Sequence, residues 1–140
     1  MKTNIVLLLQ FAGVLHLGLI AAGLLMLRVV NMRSHVAALP PFLGRLFWVY
    51  YGFIALCLVS FGAASFFLAP QLATGSILAR AVCAFLALFW TVRLFVAAFV
   101  FDVSPYLTSG FHKLGYHATN VVFALLPVIY CWAALAGGAP

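Results

Sequence analysis

Negative charge is almost missing from this sequence. Its 140 residues hold one carboxylate, Asp102, against seven lysines and arginines, and charged residues make up 6% of the chain. A soluble domain carries about 25%, so an ordinary water-exposed surface is excluded. No apolar run holds an acid in its interior, where coupled transporters place one. That argues against a small multidrug exporter built on a membrane-embedded glutamate, and the wide gap between Arg80 and Arg93 argues against a voltage sensor. The three cysteines, Cys57, Cys83 and Cys131, are odd in number and fall within apolar runs. They read as small apolar packers rather than a disulfide framework. No nucleophile is paired with a base, so no catalytic residue is assigned and an enzyme is not the expectation. There is no internal repeat of the kind found in many transporters.

What is present is apolar: 68% of residues are hydrophobic and the mean hydropathy is +1.26. Crossing the hydrocarbon core takes about 20 mainly apolar residues in a helix. Four such runs occur, at about 4–27, 46–69, 80–101 and 115–136. The expectation is an all-α transmembrane four-helix bundle forming a single domain over 1–140, with no room for a soluble unit. The first run follows Lys2 as a secretory signal would, but it is too long and no Ala-x-Ala pattern follows, so it reads as a retained span.

The net charge of +6 falls mostly at helix ends, which speaks for membrane orientation and against nucleic acid. Loop 28–45 carries Arg28, Arg33 and Arg45, and loop 102–114 carries Lys113; the opposite side has Lys2 and Arg80. By the positive-inside rule both termini and the 70–79 turn lie on the outer face. The stretch "PQLATGSILA", with Pro70 and Gly75, predicts a tight antiparallel hairpin between the second and third spans. "RVVNMRSHVAAL" continues the first helix or lies in the interface, and Pro40 and Pro41 end it. Ser104 followed by Pro105 predicts an N-cap and a short interfacial helix broken near Gly110. Trp48, Tyr50, Tyr51, Tyr106 and Tyr116 fall where an aromatic belt would lie.

Within "FWTVRLFVAAFVFD", Arg93 and Asp102 are nine positions apart, which places them on opposite helix faces and about 13 Å apart along the axis. They do not pair within one helix. Arg93 lies about 12 Å inside the cytoplasmic boundary by the same rise, and helical side chains lean toward the N-terminus, away from that boundary. It is expected to face protein, a cavity or a polar ligand. Asn120 and His16, about 8 Å and 18 Å from the same boundary, are the candidate acceptors for its donors; an anion contact is the alternative to such a clasp. Asp102 reads as a boundary carboxylate meeting water, or as an anchor that orders the loops through Arg33 or Arg45.

Of the four histidines, His16 is near mid-membrane, whereas His35, His112 and His117 are at the cytoplasmic boundary. No two are level enough for a bis-histidine haem, and no metal site is assigned. His117, Asn120, Ala124, Pro127 and Cys131 recur at helical spacing in the fourth span. This stripe is the seam of the bundle, or a groove for a partner helix or flat apolar cofactor. Ala133 with Gly137, Ala134 with Gly138, and Ser60, Gly62 and Ala64 in the second span add small residues that let helices approach closely.

"LARAV", "FWTVRLFVAAFVFDVSPYLT" and "KLGYHATNVVF" together resemble a group of small bacterial four-span integral membrane proteins with no assigned activity. In that group an Arg-Leu pair precedes a Phe/Tyr-Asp at the end of the third span; here these are Arg93, Leu94, Phe101 and Asp102. The resemblance covers about the last 60 residues. It implies a bacterial inner membrane and brings no function. The leading expectation is a non-enzymatic membrane subunit or accessory protein packing against other membrane proteins, lipids or an apolar cofactor. One alternative is a small oligomeric channel or transporter for an anion or weak acid using Arg93. Another is a redox protein holding haem b or quinone near His16.

Overall fold

The four apolar runs become four long helices in a computed structural model that describes residues 2–137. They are α1 (Lys2–Val29), α3 (Pro41–Phe67), α5 (Ile77–Phe99) and α6 (Gly110–Ala136), with the short helices α2 (Met32–Ala37) and α4 (Ala69–Leu72) between them. The shortest long helix has 23 residues, or about 34 Å at 1.5 Å per residue, against a hydrocarbon core of about 30 Å. All four are long and apolar enough to cross a membrane, and among the described residues there is no strand. The expected all-α, four-span membrane architecture is therefore present.

The short elements mark the two ends. Asn31 adopts φ 50°, a left-handed conformation that asparagine tolerates, and this turn stops α1 and starts α2. Val36 of α2 is buried, and its carbonyl lies against Gly44 at the start of α3. Pro41 opens α3 at a first-turn position, where its missing N–H costs nothing. At the opposite end Ala69, Leu72 and Ala73 of the α4 turn are buried and close the bundle. Gly75 then takes φ 71°, and the Ser76 side chain accepts from the Ala79 N–H at 3.2 Å to cap α5. The short interfacial helix expected after Ser104 is a single 3-10 turn, Ser104–Tyr106; the Ser104 side chain lies outside the described residues. The serine that caps the last span is Ser109, which accepts from the His112 N–H at 3.2 Å. It starts α6 five residues before the expected 115. Gly138, of the Ala134–Gly138 pair, also lies outside the described residues.

The neighbour relations differ from the expected hairpin. α5 packs most closely on α6, α1 packs on α3, and α1 also meets α6. α3 and α5, though joined by a short connection, meet through Phe61 with Phe85 and Phe89, at centroid distances of 6.1 and 5.1 Å. The α1–α3 contact explains this. A Cβ on Gly13 would lie 2.9 Å from the Gly62 carbonyl oxygen, and one on Gly62 would lie 2.9 Å from His16 Cβ. Two helices with glycine at their crossing approach more closely than any pair with side chains there, and in lipid such packing drives association.

The inward stripe of α6 also differs. Phe123, Leu126, Pro127, Ile129, Tyr130 and Ala133 are buried, while His117, Ala124 and Cys131 are exposed and Asn120 is half-buried. The seam is built from large side chains, with Pro127 the member of the expected stripe that is fully buried. Of the three cysteines, Cys83 packs in the core and Cys57 and Cys131 face outward.

Candidate functional site

Polar atoms inside an apolar bundle need partners, because an unpaired buried group forfeits its water without compensation. Among the described residues three side-chain atoms are buried with none: His16 Nε2, Trp90 Nε1 and Arg93 Nη1. They lie along one aromatic column.

His16 occupies the middle of α1 and is fully buried. Its Nδ1 is 2.7 Å from the Ala12 carbonyl oxygen one turn back. A carbonyl only accepts, so Nδ1 carries the hydrogen and in the neutral ring Nε2 is left as an acceptor. Trp90, Tyr130 and Phe61 stand edge-on around the imidazole, at centroid distances of 5.2, 6.4 and 6.5 Å. Behind them Tyr130 Oη and Ser65 Oγ are hydrogen-bonded at 2.5 Å. Both are fully buried, so this bond joins α6 to α3 in the absence of water. The centre thus has one satisfied hydroxyl pair beside an unused acceptor, His16 Nε2, and an unused donor, Trp90 Nε1–H.

The column continues toward the α2 end. Trp90 stacks on Phe123 at 5.8 Å with the planes 26° apart, and the Arg93 guanidinium carbon lies 4.9 Å from the Phe123 centroid. The ring of Phe101, beyond the end of α5, closes on the same guanidinium at 5.7 Å. A desolvated cation over aromatic faces gains about 2 kcal/mol, which offsets part of the cost of about 2.5–3.5 kcal/mol for an arginine inside the membrane. Arg93 and His16 were expected to bond one another or Asn120; Arg93 Nη1 and His16 Nε2 are both buried without a partner, and His16 Nδ1 bonds its own helix. Asn120 sits one turn from Phe123 on the same face of α6, half-buried.

The remaining expected residues are at the α2 end. His117 is exposed on α6 beside Tyr116, with ring centroids 5.5 Å apart. Arg33 and Arg45 are exposed on α2 and α3. Asp102 is exposed and lines an open cleft of about 370 Å³ with Phe101, Val103, Leu107 and Tyr116. At the α4 end Arg80 Nε donates to the Ala134 carbonyl oxygen at 2.9 Å, satisfying a C-terminal carbonyl of α6 with a positive charge.

Ser65, Trp90, Tyr130 and Phe123 belong to the column and were not among the residues singled out from the sequence. Tyr130 carried a usable signal: it is a tyrosine inside a span, away from the boundary belt, where its hydroxyl needs a partner. Among the described residues no three His, Cys, Asp or Glu side chains converge. His16 is enclosed by packed rings and the other histidines are at the α2 end, so the residues around it do not fit a haem. The fold and this core define a four-span helical membrane protein. Comparison of the chain with protein-family models, curated proteins and solved structures finds no match to any of them.

Proposed function

We propose that the protein is a non-enzymatic integral membrane subunit or accessory protein whose α3 face packs against another membrane protein. The carrying observation is the exposure of α3. It buries Gly62 and Ser65, whereas α1, α5 and α6 each bury five or six residues. Phe42, Tyr50, Phe53, Ile54 and Leu56 on α3 are all more than half exposed. Between helices in lipid, association rests on close packing rather than on escape from water. The outward side of α3 offers the small residues Gly52, Ser60 and Ala63, and a Cβ on Gly52 would touch nothing within 4 Å. That is room for a second helix backbone.

The reading extends to orientation and place. Arg28, Arg33, Arg45 and Lys113 gather at the α2 end, against Lys2 and Arg80 at the α4 end, which favours a cytoplasmic α2 end and outer termini. The resemblance of about the last 60 residues to small bacterial four-span proteins favours a bacterial inner membrane. Isolation from its own membrane in mild detergent, followed by native mass spectrometry, tests the assignment. A species heavier than one 15.1 kDa chain, containing a reproducible protein partner or a second copy, is expected. A stable bare monomer overturns it.

A further inference from the structure

The subunit reading leaves Arg93 without a role. Its guanidinium has five donors and no acceptor, yet Nη1 is buried with no partner and the groups placed against it are the ring faces of Phe123 and Phe101. Ring faces compensate charge but do not accept in-plane N–H bonds. The rings thus hold the plane of the guanidinium, and Nη1 is enclosed without a hydrogen-bond acceptor. Asn120 is half-buried one turn from Phe123 on the same face of α6, toward the α2 end.

Depth decides what reaches the guanidinium. α5 ends at Phe99, six residues beyond Arg93, or about 9 Å by the helical rise. A span of about 34 Å overhangs a core of about 30 Å slightly, which leaves the Arg93 Cα about 7 Å inside the hydrocarbon boundary. An arginine stem covers most of that distance when it extends to the interface, and the Phe101 ring, beyond the helix end, lies 5.7 Å from the guanidinium carbon. The guanidinium therefore lies just under the headgroup layer. The α2 end carries Arg28, Arg33, Arg45 and Lys113 against the single carboxylate Asp102, so the local field favours anions.

The geometry points to a phosphate-binding site at this place. Arg93, with Phe101 and Phe123 against its guanidinium, takes a phosphate oxyanion at its Nε and Nη2 edge, Nη1 being enclosed; the phosphate is supplied by an anionic phospholipid headgroup or by free phosphate. The planar fork matches two phosphate oxygens, and the aromatic seat fixes its orientation before the ligand arrives.

Native mass spectrometry of the full chain in mild detergent tests this, with phosphatidylglycerol, diacylglycerol of the same acyl chains, or inorganic phosphate added. The wild type is expected to retain phosphatidylglycerol at least tenfold better than diacylglycerol, and Arg93→Gln to lose that preference about tenfold or more, the size of one charge-assisted bond. Competition by millimolar inorganic phosphate identifies free phosphate as a ligand; retention of the lipid despite it identifies the headgroup. Phe101→Ala, at a residue 55% exposed and outside the helices, tests the seat without disturbing the core and is expected to weaken retention several-fold. Equal retention of both lipids by the wild type overturns the site. So does undiminished preference in both variants, or a co-purified protein carboxylate crosslinked to position 93. None of these outcomes depends on whether α3 has a protein partner.

Discussion

Replacing Gly13 with alanine puts a methyl group where α3 already is. The added Cβ would lie 2.8 Å from Phe66 Cβ, 2.9 Å from the Gly62 carbonyl oxygen and 3.0 Å from the Phe66 nitrogen. Two of these are backbone atoms and the third is fixed to the backbone, so no rotamer change relieves them. Carbon contacts are comfortable at about 3.5–4.0 Å, and the helices must therefore separate by at least about 0.5 Å at their crossing. Overpacking of this kind costs about 1–3 kcal/mol, while the better helix propensity of alanine returns at most about 1 kcal/mol. The net expectation is a loss of about 1–2 kcal/mol. Gly18 is the control on the same helix, because a Cβ there meets nothing within 4 Å; Gly18→Ala is expected to be neutral or up to about 1 kcal/mol stabilising. Unfolding titrations in mixed detergent micelles measure both. Equal stability of the two variants would refute the close α1–α3 crossing.

Ser65→Ala and Tyr130→Phe each strand a buried hydroxyl and are expected to cost about 1–3 kcal/mol, with the double variant costing clearly less than their sum; strict additivity in the same titration would argue against the bond. Arg80→Gln removes a capping bond from the last turn of α6 and is expected to speed amide exchange at Gly137, whose N–H donates to Ala133, while leaving the α2 end unchanged. A membrane-permeant maleimide is expected to label Cys131 and to spare Cys83 until the protein unfolds, as peptide mapping would reveal.

The spans were legible because hydrophobic runs of this length have one stable outcome in a membrane. Their partners were not, because the same uniform apolarity marks no face. α3 is apolar all round and its packing is set by Gly13 against Gly62, a crossing that hydropathy does not register. Helix starts were misplaced where a local cap outweighed the hydropathy edge: Ser109 brings α6 forward to Gly110, and Pro41 begins a helix as well as ending the preceding connection. The depth of His16 was readable from its position in the first span, but its neighbours Trp90, Tyr130 and Phe61 depend on helix rotation. The acceptors named for Arg93 were polar residues at suitable depth. Phe101 stands out in the sequence only as the residue before Asp102, and among 14 phenylalanines nothing marks it or Phe123 as a ring whose face meets a cation.

In the proposed assembly α3 presents its outward face to another membrane protein. A photo-crosslinking residue placed at Phe53 of α3 or at Val128 of α6, 61% and 64% exposed, compares two outward positions in the native membrane. One reproducible protein adduct is expected from position 53, a defined partner or a second copy of the chain, and lipid adducts from position 128. Lipid adducts alone from both positions would contradict it.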